Sequence, residues 1–337
     1  MSILPVFVGL DYHSNVIQVC IMDQNRKILA NVSVGNSPEA VRKVVAREGD
    51  KVRVAIEACN GAAEFSEKLI TQYGWHVELA HPGYVSRMKQ TQDKSDWTDA
   101  KVLADLTRVG YLPRVWLAPK YIRDLRELVS HRRGYVEQRT AVKLRIRALL
   151  QKHTITCPYG PWTIKGKAWL LNVNNLPFNV FFQLRNYYRT IDNLNETIAE
   201  IEEKMIADTT EDPVIKHLRA QPGIGLITAV TMRAKIGHFD RFRSGKQLAH
   251  FCAVCPRNNA TGGRTTTGGL IKAGDELLRQ VIVEAAHRLI RYDPHWKAMA
   301  ARLKKEGKKT CVIVAAVGNR WIRKLYHQMV DSPSSVE

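Results

Sequence analysis

The first 33 positions of the chain contain three short apolar runs, at 6–10, 16–21 and 27–32. A polar break, Asp23-Gln24-Asn25-Arg26, separates the second run from the third. Runs of this length, in which apolar residues alternate with polar ones or follow one another, are typical of strands. The pattern predicts an antiparallel meander of three strands.

Helical and strand patterns then alternate. Ser37 and Pro38 suit the cap and the first position of a helix, which we expect to end near Arg47. The following residues predict a strand over 52–57, a helix over 62–73, a strand over 76–80, a loop at 81–83 and a helix that begins near Asp96. The order βββαβαβα is that of the ribonuclease-H-like fold, so we expect an α/β domain, although fold alone does not establish chemistry.

A long and strongly basic helical pattern follows at 119–153. One reading is a solvated surface helix, and the other is a helix that contacts a nucleic-acid backbone. We favour the second interpretation. The cations that we expect to bind nucleic acid there are Arg123, Arg126, Arg132, Arg133, Arg139, Lys143 and Arg147.

A second long pattern has apolar residues at alternating spacings of three and four, which predicts a coiled-coil seam. Its partner is either the helix at 120–152 folded back on it or the same helix of another subunit. A loop or short-helix connector is expected between the two long helices. The seam consists of Leu184, Tyr187, Ile191, Leu194, Ile198, Ile201 and Met205.

The remaining residues, 212–331, are helical in period with two interruptions. The first contains Gly223 and Gly225 in Pro-Gly-Ile-Gly and resembles a helix-hairpin-helix turn. Such a turn can bind a DNA phosphate through backbone amides, or can simply join two helices. The second is a glycine-rich loop at 261–269. We therefore predict three domains: an α/β domain at 1–115, a basic and coiled-coil region at 116–210, and a mainly helical domain at 211–331.

The chain carries a large excess of positive charge. Its 51 Lys and Arg residues outnumber its 32 Asp and Glu residues, which gives a formal net charge of +19. Such a field attracts polyanions, so nucleic acid is the expected partner. The sequence contains neither a membrane-length apolar run nor a signal-peptide pattern, and we expect a cytoplasmic protein with no membrane partner. Six scattered cysteines predict reduced thiols, and the Cys252 and Cys255 pair lacks the further ligands of a zinc site.

Four acidic residues stand where they could share a metal ion. Asp11 and Glu57 end two predicted strands that are neighbours in this fold, and Asp96 and Asp99 lie on one side of a helix start. Each has an ordinary alternative, as a solvated strand end or as a helix cap with a first-turn acid. Because the four occur together in this fold order, we expect them to bind Mg²⁺, which prefers oxygen ligands and polarises phosphodiesters.

A glycine-rich basic segment in the last third could cradle a phosphate. It runs from Pro256-Arg257 through Ala260-Thr261-Gly262-Gly263-Arg264 to Ile271-Lys272, and its cations Arg257, Arg264 and Lys272 are candidate nucleic-acid ligands.

Taken with Asp11, Glu57 and the Asp96-x-x-Asp99 motif, this segment resembles the DEDD insertion-sequence transposases. These are bridge-RNA-guided recombinases related to the Piv-type DNA invertases. The resemblance implies a RuvC-like N-terminal domain, a coiled coil that assembles subunits, and a C-terminal transposase domain whose serine forms a covalent phosphoserine with DNA. It also implies Mg²⁺ on the DEDD carboxylates in a composite site, a structured guide RNA that pairs with donor and target DNA, and a homotetramer built as a dimer of dimers.

One position departs from the family pattern. Where relatives carry Ser followed by Ser or Thr before two glycines, this chain has Ala260 and Thr261. An alanine has no hydroxyl to attack phosphorus, and the methyl group of threonine crowds an in-line approach. We therefore favour the hypothesis that Ala260 replaces the catalytic serine, over the hypothesis that Thr261 is the nucleophile.

Two other classes of function compete with the recombinase. A metal-dependent RuvC-like nuclease or junction resolvase would use the same carboxylates to activate water, without covalent attachment. A noncatalytic nucleic-acid-binding protein would use them only as caps. A DNA recombinase is the function that the sequence favours.

Overall fold

The computed structural model describes residues 5–46, 51–88, 95–172, 176–261 and 264–331, and gives the backbone alone at 258–261 and 264–267. The chain divides into two compact units, Met1–Pro119 and Lys120–Glu337. No helix in these described ranges is long and apolar enough to cross a membrane.

The first unit is a mixed α/β structure. Its elements in chain order are β1 (Val6–Tyr12), β2 (Val16–Met22), β3 (Ile28–Gly35), α1 (Pro38–Val45), β4 (Val52–Glu57), α2 (Ala62–Tyr73), β5 (His76–Ala80), α3 (Pro82–Met88), α4 (Asp96–Arg108) and β6 (Arg114–Val115).

Its six strands form one sheet in the order β3-β2-β1-β4-β5-β6. Strand β1 is antiparallel to β2 and parallel to β4, and β5 is parallel to β4. The predicted meander and the alternation after it are confirmed. The predicted loop at 81–83 is wrong, because Pro82 occupies the first position of α3, where its missing N–H costs nothing.

Apolar residues cover both faces of the sheet. On one face Val8 and Leu10 pack with Phe65 and Leu69 of α2. On the other face Ala100 of α4 packs with residues of β2, and Leu103 of α4 packs with residues of β4 and α3. Helix α4 therefore lies against the central strands, and its first turn reaches the edge of the sheet where the parallel strands end.

The second unit is helical except for one hairpin. Its elements are α5 (Lys120–Lys152), α6 (Ile164–Asn172), α7 (Phe178–Thr209), α8 (Pro213–Ala220), α9 (Leu226–Ile236), α10 (Gly245–Phe251), β7 (Pro256–Thr261), β8 (Arg264–Leu270), α11 (Glu276–Tyr292), α12 (Pro294–Lys305) and α13 (Thr310–Val330).

The two long helices α5 and α7 pack on each other within the chain. Ile146 of α5 shares a core with Leu184 and Ile191 of α7, and Val129 shares another with Met205. Of the two partners left open for the seam, the structure thus shows the folded-back helix. The seam itself contains Tyr188, which is 3% exposed, in place of the predicted Tyr187. The 3.6-residue helical period brings Tyr188, four after Leu184, onto the buried face.

The glycine-rich segment is also different from its prediction. We expected a loop at 261–269, but β7 and β8 form an antiparallel hairpin over 256–270. Threonine at 265–267 favours strand structure, since β-branched residues fit a pleated surface, and this outweighs the two glycines at 268 and 269.

Candidate metal centre and nucleic-acid surfaces

The register of the sheet places Asp11 beside Glu57. In the parallel pair of β1 and β4, Leu10 lies opposite Ile56, so the two acidic residues occupy the next position on each strand. Residues opposite each other in such a pair project to the same face of the sheet. The two predicted strand-end carboxylates therefore share one edge and one face.

Gly9 brings α4 to that same face. It lies two residues before Asp11, so both belong to the same side of β1. A Cβ atom on Gly9 would lie 2.0 Å from the carbonyl oxygen of Ala100 and 2.5 Å from the amide nitrogen of Ala104. Only glycine allows the backbone of α4 to rest on β1 here, and this close approach carries the start of α4 to the end of the strand.

A hydrogen-bonded chain fixes the first turn of α4. The Asn31 Nδ2 atom donates to the Trp97 carbonyl oxygen at 3.0 Å, and the Gln18 Nε2 atom donates to Asn31 Oδ1 at 2.7 Å. Gln18 is paired with Asp11 across β1 and β2. The same sheet edge therefore positions both Asp11 and the helix that carries the second pair of acidic residues.

Ser95, not Asp96, caps this helix. The Ser95 hydroxyl accepts a hydrogen bond from the Thr98 amide at 3.2 Å. The alternative in which Asp96 serves as N-cap is therefore wrong, and its carboxylate is available for another purpose. Asp99, one turn further on, is buried, whereas Asp96 is largely exposed.

His13 lies between two of the predicted carboxylates. Its Nε2 atom is 3.3 Å from Asp11 Oδ2 and 3.6 Å from Asp96 Oδ1. One donor atom from each of these three side chains falls within 4.8 Å of the other two. Sequence reasoning missed His13. The one signal for it was a metal-ligand residue type two positions beyond Asp11, directly after the same strand.

The electrostatics at Asp11 favour a bound cation. Burial raises the pKa of the Asp11 carboxyl, His13 lowers it, and the negative charges of Asp96 and Asp99 raise it again. The net direction is upward, and burial is the largest cause; the charges of Asp96 and Asp99 add a smaller upward contribution, because like charges oppose ionisation of Asp11. A cation among them would remove that opposition, because it favours the charged form of every carboxylate near it.

The donor set fits a divalent metal ion. Carboxylate oxygens suit Mg²⁺ and Mn²⁺, whereas an imidazole nitrogen suits transition metals better. Asp11, His13 and Asp96 therefore offer a mixed site. Of the other two predicted ligands, Glu57 lies next to Asp11 by register, and Asp99 is close enough to affect the pKa of Asp11.

The predicted nucleophile positions lie at the tip of the hairpin. Ala260 pairs with Thr265 and Thr261 pairs with Arg264. The side chains of Ala260, Thr261 and Arg264, and the glycines at 262 and 263, lie outside the described residues. Arg257 at the start of β7 and Lys272 after β8 are exposed.

Several cations of α5 hold the helices together. Arg132 pairs with Glu202 of α7 at 2.6 Å. Arg126 Nε donates to the Ala234 carbonyl oxygen at 2.8 Å, and Arg139 Nη1 donates to Asn195 Oδ1 at 2.7 Å. These predicted nucleic-acid ligands thus already have partners within the chain.

The other predicted cations of α5 are arranged differently. Lys143 and Arg147 lie over the ring of Trp162, with their charged groups 5.4 Å and 5.7 Å from its centroid. Arg133 pairs with Glu137 at 2.6 Å, within the helix, and Arg123 is half-buried. Lys143 and Arg147 of α5 thus form a basic and aromatic surface with Trp162, which precedes α6.

The turn before α9 needs glycine at one of its two glycine positions. Gly223 has a φ of 77°, and a Cβ atom there would lie 2.7 Å from the Cβ of Arg288. Arg288 Nη1 donates to the Gly223 carbonyl oxygen at 3.4 Å. A cavity of about 650 Å³ beside this turn is lined by further basic residues that the sequence did not single out, which are Arg219, His287, Arg288 and Arg291.

Comparison with known proteins identifies the class. A family model described as "Transposase" and named for its DEDD residues matches residues 8–155, which include Asp11, Glu57, Asp96 and Asp99. A second model, "Transposase IS116/IS110/IS902 family", matches residues 215–301, which include Gly223 and Gly225. The chain is a DNA transposase. Its two matched regions are similar to those of the IS110/IS116/IS902 family of insertion-sequence transposases.

Curated relatives agree with this assignment. The chain is 29% identical over 233 residues, 69% of each chain, to the transposase for insertion sequence element IS1328 of Yersinia enterocolitica. It is 25% identical over 288 residues to the transposase for insertion sequence element IS1111A of Coxiella burnetii, which covers 85% of this chain and 78% of the relative. It is 24% identical over 302 residues to that for IS1533 of Leptospira borgpetersenii, at 83% and 84% coverage.

Proposed function

We propose that this transposase recombines DNA by a metal-assisted attack on a phosphodiester, and that Asp11, His13 and Asp96 hold the metal. The observation that carries the proposal is the convergence of these three side chains at one sheet edge. Glu57 and Asp99 complete the acidic surroundings. The strand order of the sheet, with β2 antiparallel at the centre of the meander, supports a RuvC-like description of this unit.

The residues divide the work at this site. The Asp11 and Asp96 carboxylates and the His13 imidazole would bind the ion, and Glu57 and Asp99 would add negative charge beside it. A bound divalent ion, Mg²⁺ or Mn²⁺, would supply a Lewis acid for a phosphodiester oxygen. Gly9, Asn31 and Ser95 hold the two ligand-bearing segments in place, so the site is largely preorganised.

A hydroxyl in the hairpin would perform the covalent step. Its oxygen forms a bond to phosphorus, one P–O bond of the DNA breaks, the leaving oxygen takes up a proton, and the hydroxyl proton passes to a base. Ala260 has no such hydroxyl. We therefore propose that Ala260 occupies the position of the nucleophile and that this chain lacks it, with Thr261 as the alternative nucleophile.

The test is to restore the hydroxyl. We expect the Ala260→Ser variant to form a covalent adduct with a duplex that carries an end of the element, in the presence of Mg²⁺ or Mn²⁺, and the parent chain to form none. Adduct formation by the parent chain that is lost in Thr261→Ala would move the nucleophile to Thr261. Hydrolysed DNA ends without any adduct would contradict the recombinase and favour the nuclease.

A structured guide RNA is the second partner that we propose. The formal net charge of +19 and the basic surface around Trp162 support binding of a polyanion beyond the DNA itself. Sequencing the RNA that co-purifies with the chain tests this. One discrete structured RNA from the element is expected, and a random mixture would contradict guidance.

We also propose that the chain works as a homo-oligomer, a dimer of dimers. The seam of α7 is covered by α5 within the chain, so the subunit contact would lie elsewhere. Ile164, Phe178 and Phe182 are exposed, at 90%, 77% and 47%, and offer an apolar surface for it. Light scattering should give the mass of four chains, and a lower mass for Phe178→Ser.

Within the second unit, we propose a boundary near 210 between the long helices and the transposase domain.

A further inference from the structure

A basic cavity lies at the base of the β7–β8 hairpin, far along the chain from the carboxylates. It has a volume of about 570 Å³. Helices α10 and α13 and the first residues of β7 form its walls. We call it the hairpin-base pocket, and its polar lining residues are Lys246, His250, Cys255, Arg257, Asn319 and Arg323.

The polar side chains of the pocket come in helical pairs. Lys246 and His250 are four residues apart on α10, and Asn319 and Arg323 are four apart on α13, so each pair shares one helix face. Gly245 lets the two helices meet, because a Cβ atom there would lie 2.9 Å from the Arg323 carbonyl oxygen. Close packing of the helix backbones thus gathers cations from two separate elements.

Asn319 attaches the hairpin to the same wall. Its Nδ2 atom donates to the Val254 carbonyl oxygen at 3.2 Å and to Cys255 Sγ at 3.3 Å. Strand β7 starts at the next residue, Pro256. Along a strand, Ala260 lies three residues beyond Arg257, roughly 10 Å at the usual rise. The cations of the pocket are therefore held a short distance from the candidate nucleophile positions.

The charges of the pocket have no acidic counterpart. No carboxylate lines it, and none lies within ion-pair distance of Lys246, Arg257 or Arg323 among the residues that the structure describes. Elsewhere in the same unit, Arg132, Arg233 and Lys235 each pair with Asp or Glu. A concave site with uncompensated guanidinium and ammonium groups is suited to a phosphodiester, which Arg recognises through two parallel hydrogen bonds.

We propose that the hairpin-base pocket binds a backbone phosphate of the DNA strand that reacts at the hairpin, through Lys246, Arg257 and Arg323. The pocket thereby positions the strand along β7. This inference rests on the proposed function in taking DNA as the ligand, but requires neither the metal nor the nucleophile.

Cys255 provides a local reporter for the test, because its half-buried thiol lines the pocket. Cys311 at the start of α13 is exposed and does not line it. The full chain would be treated with a maleimide, alone and with a saturating mixed-sequence DNA duplex, and modification of each cysteine followed by peptide mass spectrometry. DNA should slow modification of Cys255 severalfold and leave Cys311 unchanged.

The variants separate this pocket from general charge effects. A double variant, Lys246→Gln with Arg323→Gln, should lose the protection of Cys255 and lower the salt dependence of DNA binding by about 0.9 for each cation removed. Lys305→Gln, an exposed cation of α12, removes one charge outside the pocket and should retain protection. Thermal melting checks that each variant folds, and Arg323→Lys, which keeps the charge without the planar fork, should retain part of the protection.

Each outcome has a defined meaning. If DNA does not bind the chain at all, the proposed function fails as well. If DNA binds but Cys255 reacts at an unchanged rate, or stays protected in the double variant, the pocket proposal alone is overturned. Equal or stronger protection by single-stranded RNA of the same sequence would overturn the assignment to DNA. Protection by inorganic phosphate alone, lost in the double variant, would support the phosphate site.

Discussion

The two units of this transposase collect opposite charges by different means. In the first unit, acidic groups from β1, β4 and α4 meet because a parallel strand pair and a glycine contact bring backbone segments together. In the second unit, cations collect where helices pack, at the turn before α9 and at the base of the hairpin. The first arrangement suits a small cation, and the second suits phosphates spread along a strand. The difference indicates that metal binding and DNA binding can be disturbed separately.

Gly9→Ala should have the largest effect, because the new Cβ atom would meet the backbone of α4 rather than a flexible side chain. We expect the free energy of unfolding to fall by about 3 kcal/mol or more, because the backbone of α4 must move to make room for the added methyl group. Urea denaturation measures this. Gly35→Ala is the matched control, since nothing lies within 4 Å of its added Cβ. A Gly9→Ala variant as stable as the parent would show that α4 does not rest on β1.

Asp11→Asn should separate ion binding from stability. In the parent, Mn²⁺ at a hundred times its dissociation constant should stabilise the chain by about 2.7 kcal/mol, and the variant should lose this gain. Thermal melting with and without Mn²⁺ provides the measurement, with the exposed Glu39→Gln as control.

Without metal, Asp11→Asn is expected to stabilise the chain, whereas with Mn²⁺ it should remove the stabilisation that the ion gives. Because the pKa of Asp11 is raised in the folded chain, its neutral form is favoured there. The corresponding stability is present at low pH and is lost as pH rises through that raised pKa. Asp11→Asn keeps the side chain neutral, so at neutral pH the metal-free variant should melt at a higher temperature than the metal-free parent. A lower melting temperature would contradict the raised pKa that burial, and to a lesser extent the neighbouring carboxylates, give Asp11.

His13→Asn tests the nitrogen ligand that distinguishes this site from an all-carboxylate one. Loss of the imidazole should weaken Mn²⁺ binding by about tenfold, a typical cost for altering a metal site, and affect Mg²⁺ less. Titrations of the melting temperature with each ion give the two affinities. Equal losses for both ions would mean that His13 only bridges Asp11 and Asp96 by hydrogen bonds.

Arg288→Gln should have the smallest effect, and we expect that effect on DNA binding by the second unit alone. Removing one phosphate-binding cation at the turn before α9 is expected to lower the salt slope of DNA binding by about one, without changing the response to Mn²⁺. Fluorescence anisotropy over a range of salt concentrations measures the slope. Lys308→Gln, an exposed cation away from this turn, serves as the control. Identical slopes for both variants would remove the turn from the DNA-binding surface.

Sequence patterns predicted the parts of this molecule that depend on local periodicity. The meander, the strand-end positions of Asp11 and Glu57, and the long helices follow from apolar spacing. Gly223 was recognised because Pro-Gly-Ile-Gly before a helix resembles a helix-hairpin-helix turn; its φ of 77° is one that glycine adopts without strain.

The features that were missed depend on tertiary packing. His13 has no periodic signal, and its role appears only when α4 brings Asp96 to it. Arg288 and Arg323 come from helices far along the chain from the glycines that they approach. Both contacts arise from tertiary packing, of α10 on α13 and of α11 on the turn. The spacing of residues within one segment does not predict such contacts.

Electron paramagnetic resonance of Mn²⁺ bound to the full chain can detect a metal centre at Asp11, His13 and Asp96. We expect Mn²⁺ to bind to the parent chain with a nitrogen coupling from His13. The coupling should disappear in His13→Asn, and Asp11→Asn should remove the binding itself. Undiminished binding in Asp11→Asn, or no binding by the parent at millimolar Mn²⁺, would contradict a metal centre at this sheet edge.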